Sequence, residues 1–238
     1  MATAQQAMKE SPWKVGLFGI LAFAVMVLAL ASPLLIRAYL FQPFNVPSGS
    51  MVPTLRIGDG FFVSKHAYAR PWGNVPARGD VIAFLTPKDN KTVFIKRVVG
   101  LPGDRIQMKQ GLLHINGVPV AHERLADFVG EDPCGAKAAA ATKRWRETLP
   151  DGVSYETLDC VDNGFYDNTN LFTVPEGRIF VLGDNRDNSV DSRVLSQMGY
   201  VPLENVIGRA GMIFFSSSPG ERSKPAEVRW GRIGMLVR

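Results

Sequence analysis

Few residues in this chain have the type and spacing to do chemistry, and Ser50 comes first. It stands between Gly49 and Met51 in the run Val46-Pro47-Ser48-Gly49-Ser50-Met51-Val52-Pro53-Thr54-Leu55. Gly49 removes a Cβ beside the serine and lets another backbone approach. Pro47 and Pro53 fix φ and give up N–H donors, so the loop is stiff and poorly paired. A stiff, open loop that presents one hydroxyl suits a nucleophile. Taken alone, the same stretch reads more simply as a Ser/Gly/Pro linker.

A nucleophilic serine needs a base. The histidines are His66, His114 and His122. None sits in a motif that pairs with a nucleophile, so a Ser–His–Asp triad is the second choice. No metal-ligand spacing occurs, and neither metal nor cofactor is expected. A neutral lysine is the other base available. In the strand-like run Thr92 to Val99, period two places Phe94, Lys96 and Val98 on one face. If that face is inward, Lys96 is partly desolvated, which favours the neutral amine. Bringing an amine from about 10.4 to about 8 costs roughly 3 kcal/mol of fold stability. The plainer reading of Lys96 is an edge lysine that snorkels.

A third stretch, Gly183-Asp184-Asn185-Arg186-Asp187-Asn188-Ser189-Val190-Asp191-Ser192-Arg193, is dense in polar groups. Alternate Asp187, Ser189 and Asp191 suggest a calcium loop. The sixth position is Ser192 rather than Gly and the twelfth is Met198 rather than Glu, so that reading fails. The Arg78-Gly79-Asp80 triplet is explained by a turn entering a strand rather than by integrin binding.

The elements that must carry these residues are legible in outline. Residues 1–14 are polar. From Val15 to Ile36 there is no charge, and roughly 22 residues make a helix of about 33 Å, enough to span a bilayer. Lys14 and Arg37 bracket it. Ala29-Leu30-Ala31 resembles a small-x-small cleavage site, but Leu34, Leu35 and Ile36 continue the apolar run, which favours an anchor. Strands are expected at Gly60–Lys65, Val81–Leu85, Thr92–Val99, Arg105–Met108, Leu112–Ile115, Arg178–Leu182 and Val206–Phe215, with Asn116-Gly117 as a hairpin turn. Tyr68 to Pro76, with Trp72, is expected as a loop with an exposed aromatic. No long helical period follows the anchor.

Residues 121–176 change character and read as an inserted lobe, with an alanine-rich run at 138–141. The only cysteines, Cys134 and Cys160, fall there and can pair in an oxidising compartment. Such a bridge would stabilise by roughly 3.5 kcal/mol on the chain-entropy model. The domain reading is therefore a polar N-terminus at 1–14, an anchor at 15–36, a β domain from 37–120 and 177–238, and an insert at 121–176. Net charge is +5. A basic surface sits against nucleic acid or anionic lipid. The anchor favours lipid, and no Lys/Arg run or nucleic-acid motif argues otherwise.

Taken together, Pro47 to Met51 with Pro53-Thr54-Leu55, then Arg78 to Val81, Ile95 to Asp104 and Gly183 to Arg193 resemble, in order, the four sequence boxes of the bacterial type I signal peptidases, or leader peptidases. The resemblance runs from about Phe44 to Phe215. It implies a mainly β fold of coiled antiparallel sheets, with the insert as a second lobe; some members of that family have two spans before the serine, where this chain reads as having one, Val15 to Ile36. It also implies a Ser–Lys dyad with Ser50 as nucleophile and Lys96 as general base. The Ser50 N–H and Ser48 hydroxyl would hold the oxyanion. Ser189 would hydrogen-bond and orient the lysine, and Asp191 with Arg193 would brace the loop. Phe44, Val46, Pro47, Met51, Leu55, Phe94 and Ile95 would line shallow pockets for small residues at −1 and −3. The partners implied are signal-peptide-bearing preproteins and membrane lipid. The location implied is the bacterial cytoplasmic membrane, single-pass, N-terminus inside and catalytic domain on the outer face. Two other readings stay open: a relative dedicated to one substrate, and an inactive tethered binding protein.

Overall fold

The structure is a computed structural model. It describes residues 12–68, 75–130, 134, 141–220 and 225–238, without the side chains of 12–16 and 33–39. The polar N-terminus through residue 11, the Pro71-Trp72-Gly73 loop and the alanines at 138–140 lie outside the described residues.

The chain forms two compact units, Met1–Phe41 and Gln42–Arg238. In the first, one helix, α1, runs Pro12–Tyr39 over 28 residues. Its described side chains, 17–32, carry no charge, and Phe18, Ile20, Leu28 and Leu30 are exposed. Among the described residues no helix is long and apolar enough to cross a membrane. The expected span at 15–36 extends past the described side chains at both ends.

The second unit is mainly β. Its strands are β1 (Phe41–Asn45), β2 (Asp59–Ser64), β3 (Val81–Leu85), β4 (Val93–Gly100), β5 (Arg105–Lys109), β6 (Leu112–Ile115), β7 (Val118–Pro119), β8 (Ala121–Arg124), β9 (Lys143–Thr148), β10 (Ser154–Asp159), β11 (Phe172–Thr173), β12 (Arg178–Leu182), β13 (Val201–Pro202) and β14 (Val206–Ser216). The helical elements among the described residues of this unit are short 3-10 turns. Three sheets result, in the orders β1-β2-β14-β3-β4-β12-β13, β10-β9-β8 and β11-β5-β6-β7. The strand registers are antiparallel.

The large sheet is covered on both faces, so its central strands are apolar without alternation. In β3, Val81 and Ala83 join a cluster with Met51, Leu55 and Phe61, while Ile82 and Phe84 join Val98, Ile179 and Val181 on the opposite face. Each such large side chain contributes about 1.5–3 kcal/mol by burial. A third cluster, with Ile106, Leu113, Leu149, Phe172 and Phe180, binds the β11-β5-β6-β7 sheet to β4 and β12. The inserted stretch builds β8, β9 and β10, and it also returns β11 to pair with β5 at Phe172↔Ile106. Cys134 and Cys160 are joined by a disulfide.

Turn chemistry follows the backbone. Asn116 and Gly117 both have positive φ, as a two-residue hairpin turn requires, and so do Gln110 and Gly111 between β5 and β6. The second pair lacks the Asn-Gly signature. The Arg78-Gly79-Asp80 turn is locked inward: Arg78 pairs with Asp104, and Asp80 accepts hydrogen bonds from Tyr68 and the Ala77 N–H.

Candidate active site

β4 crosses the sheet with Phe94, Lys96 and Val98 on one face; Val98 belongs to a buried cluster, and half-buried Phe94 packs against it. Lys96 is only 3% exposed. On one side β4 pairs with β3 along the length of that strand. On the other side its register with β12 runs from Gly100 to Arg97, opposite Leu182, and then stops. Residues 93–96 therefore extend past the end of β12, and the Lys96 amine turns to that edge.

Ser50 lies in a 3-10 turn, Gly49–Met51, between β1 and β2. Lys96 Nζ is 2.8 Å from Ser50 Oγ and donates to the Ile95 carbonyl at 2.9 Å. Burial pulls the lysine from its ordinary value of 10.5 down to about 8, with Asp191 and Asp184 partly opposing the shift. An amine of this kind is about one-tenth neutral at pH 7 and can accept the hydroxyl proton. Ser48 Oγ is exposed, 3.5 Å from Ser50 Oγ. The histidines stand elsewhere: His66 faces Ser64, His114 the Leu112 carbonyl, and His122 stacks on Trp145.

The 183–193 stretch wraps behind the serine. The Asn185 N–H donates to the Ser50 carbonyl and its Nδ2 to the Gly49 carbonyl, each at 3.1 Å. Gly183 is obligatory at its position: an added Cβ would lie 2.2 Å from Ser189 Oγ and 2.6 Å from the Ser50 carbonyl oxygen. Arg193 holds the Asp191 carboxylate through Nε and Nη2, both at 2.8 Å. Burial works to raise the Asp191 pKa, but Arg193 and the Gly183 N–H outweigh it and hold it below the usual carboxylate range.

A layer of ion pairs supports this wall. Arg97 forks onto Asp184 at 2.7 Å through both Nε and Nη2, and Thr54 donates to the same carboxylate at 2.5 Å. Arg186 forks onto buried Glu147 at 2.6 Å, and Tyr155 also donates to Glu147.

The orienting contact expected from Ser189 to Lys96 is not made. The amine's two hydrogen bonds go to Ser50 and to Ile95, while Ser189 Oγ is buried against Gly183. An open cleft of about 400 Å³ lies over the pair, lined by Val46, Pro47, Met51, Leu55, Phe94 and Ile95. Phe44 is set back from it, packed on Phe61 with ring centres 6.3 Å apart. Thr92, Val93, Asn188 and Val190 also line the cleft. The alternation of β4 marks Val93 as a neighbour of Ile95 on one face; no sequence signal distinguishes Val190. Among the described residues no group of three or more His, Cys, Asp or Glu is placed to hold a metal ion.

The family model described as signal peptidase, peptidase S26 matches residues 17–215. The chain belongs to this family. Signal peptidase I of Rickettsia typhi is 37% identical over 218 residues, covering 82% of this chain and 80% of the relative. That of Rickettsia prowazekii is 36% identical over 223 residues, covering 84% and 80%. A crystal structure of a signal peptidase I from Enterococcus faecalis is 29% identical, covering 57% of this chain and 97% of that one, with a TM-score of 0.34. Membership makes the chain a signal peptidase hydrolase.

Proposed function

We propose that this chain is a membrane-anchored serine endopeptidase that removes N-terminal signal peptides from exported preproteins with a Ser50–Lys96 dyad. The observation that carries the reading is the 2.8 Å approach of a 3%-exposed lysine to a loop serine hydroxyl. Neutral Lys96 takes the Ser50 proton as Oγ attacks the scissile carbonyl. The Ser50 N–H and the Ser48 hydroxyl receive the oxyanion. The Lys96 ammonium then protonates the leaving amine, and the acyl-enzyme is opened by a water that Lys96 deprotonates. Serine and lysine together supply nucleophile, base and acid.

The cleft's apolar lining supports specificity for small residues at −1 and −3, since a wall of Met51, Leu55 and Ile95 clashes with larger side chains. The cleavage segment adds as a strand along β4 at 93–96, past the end of β12. Asp191 and Arg193 brace the loop behind Lys96, and Ser189 packs that wall against Gly183. Residues 15–36 anchor the chain once in the bacterial cytoplasmic membrane, N-terminus inside. The domain from 37–120 and 177–238, with the insert at 121–176, sits on the outer face. Tethering enzyme and preprotein to one bilayer raises their effective concentration.

The test uses the full chain in detergent with a precursor carrying an Ala-x-Ala site, the product N-terminus being read by mass spectrometry. Wild type should cut after the second alanine, and Ser50→Ala and Lys96→Ala should lose nearly all activity. Robust cutting by Lys96→Ala would sink the dyad.

A further inference from the structure

Peptide planarity gives one residue of the 183–193 stretch a role that the dyad itself does not supply. The Ser50 N–H and the Gly49 carbonyl belong to one peptide unit, and in a trans peptide they point in opposite directions. Whatever grips the Gly49 oxygen therefore sets where the Ser50 N–H is aimed. Two donors grip it: Asn185 Nδ2 at 3.1 Å from outside the turn, and the Val52 N–H at 3.2 Å from within it. The next peptide unit, Ser50–Met51, is gripped by Asn185 as well, because its backbone N–H donates to the Ser50 carbonyl at 3.1 Å. The two units flank the Ser50 Cα, so Asn185 restrains φ and ψ of the nucleophile from both sides, the Val52 N–H sharing only the first unit. That also fixes the direction of the Ser50 Cα–Cβ bond, about which Oγ takes its rotamer.

Asn185 is itself well held. It is fully buried. The end of β10 pairs with the chain on both sides of it: the Leu158 N–H donates to the Asp184 carbonyl at 2.9 Å and the Arg186 N–H to the Leu158 carbonyl at 3.0 Å. Its Oδ1 lies 3.4 Å from the disulfide sulfur of Cys160, which leaves Nδ2 facing Gly49. A donor on a peptide oxygen also polarises the N–H of that unit and strengthens it as a donor.

We infer that Asn185 is the positioning residue of the oxyanion site: its amide orients and polarises the Gly49–Ser50 peptide, so that the Ser50 N–H meets the developing oxyanion. The inference rests on Ser50 being the nucleophile. Asn185 touches no reacting atom. Its effect should appear in the transition state and in mimics of it, and not in ground-state binding.

The experiment compares wild type with Asn185→Asp and Asn185→Leu, full chain in detergent. Three quantities are read: kcat and KM on an Ala-x-Ala peptide, affinity for an uncleavable peptide of the same sequence with proline at +1, and inhibition by the matching peptide aldehyde. The aldehyde carbon bonds to Ser50 Oγ, and the hydroxyl proton passes to the aldehyde oxygen, giving a hemiacetal whose oxygen occupies the oxyanion site. Both variants should lose about 10- to 100-fold in kcat, and aldehyde affinity should fall by a similar factor. KM and affinity for the uncleavable peptide should change by no more than about twofold. In Asn185→Leu, which adds no charge, the pH midpoint of kcat/KM should stay where Lys96 sets it. If aldehyde and uncleavable peptide weaken together, or neither variant binds the uncleavable peptide at all, Asn185 is only a brace and the inference fails. If Ser50→Ala cuts like wild type, the dyad itself fails.

Discussion

Replacing Lys96 with methionine should abolish activity and yet make the fold less sensitive to pH. The lysine is pulled from 10.5 to about 8, mainly by burial. At about 1.4 kcal/mol per pH unit, the folded state carries a penalty of about 3 kcal/mol for holding this amine protonated. The sign follows from proton counting. Between pH 8 and pH 10.5 the unfolded chain holds a proton on Lys96 that the folded chain has released. Stability from this group therefore rises with pH across that window, and the penalty is fully present below pH 8. From about pH 7 to about pH 9.5, wild type should gain about 2 kcal/mol relative to Lys96→Met. The hydrogen bonds from Lys96 to Ser50 and Ile95, absent in the variant, offset the two curves by a constant and do not create this slope. Tyrosines such as Tyr68 that titrate above this range are common to both proteins and cancel. The assay is urea unfolding of the detergent-solubilised chain by tryptophan fluorescence at about pH 7, 8 and 9.5. The companion assay is kcat/KM, which should climb about tenfold per pH unit below about 8 and level off above it. Parallel stability curves, or a rate profile flat from about pH 6 to about pH 9, would refute a neutral buried lysine as the base.

Gly183→Ala should cost about 1–3 kcal/mol by overpacking, and it should cost activity out of proportion because the added methyl presses on the Ser50 carbonyl; wild-type kcat in the variant would show that the loop yields there without moving the nucleophile. Glu147→Ala leaves the Arg186 charge buried and unpaired and should cost about 3–5 kcal/mol in urea unfolding. Replacing Glu147 and Arg186 together with Leu and Met should recover most of that loss, and equal losses in the single and double variants would contradict the pairing. Cys134→Ser with Cys160→Ser opens a link between residues 26 apart in sequence and should lower stability by about 3.5 kcal/mol. An unchanged urea midpoint would show that the bridge adds nothing.

Local chemistry made much of this protein legible from its sequence. Pro47, Gly49 and Pro53 mark a stiff loop around Ser50; period two puts Phe94, Lys96 and Val98 on one face; Asn116-Gly117 specifies a hairpin. These follow from residues a few positions apart, where covalent geometry sets direction. With only two cysteines, one pairing within the chain was available. The Gln110–Gly111 turn lacked a signature, and β11 was hidden in the insert because a two-residue strand is defined by its partner. Tertiary structure alone decided that Lys96, rather than a histidine, meets Ser50 across 46 residues, because β12 ends at Leu182 and leaves the β4 edge open. It also decided that the amine's second hydrogen bond goes to the Ile95 carbonyl rather than to Ser189, that Val190 and Asn188 line the cleft, and that Asn185 grips both peptides around the nucleophile. Sheet order, register and strand ends are set by burial of both faces of the large sheet. That is a property of the whole chain, which no short stretch of sequence contains.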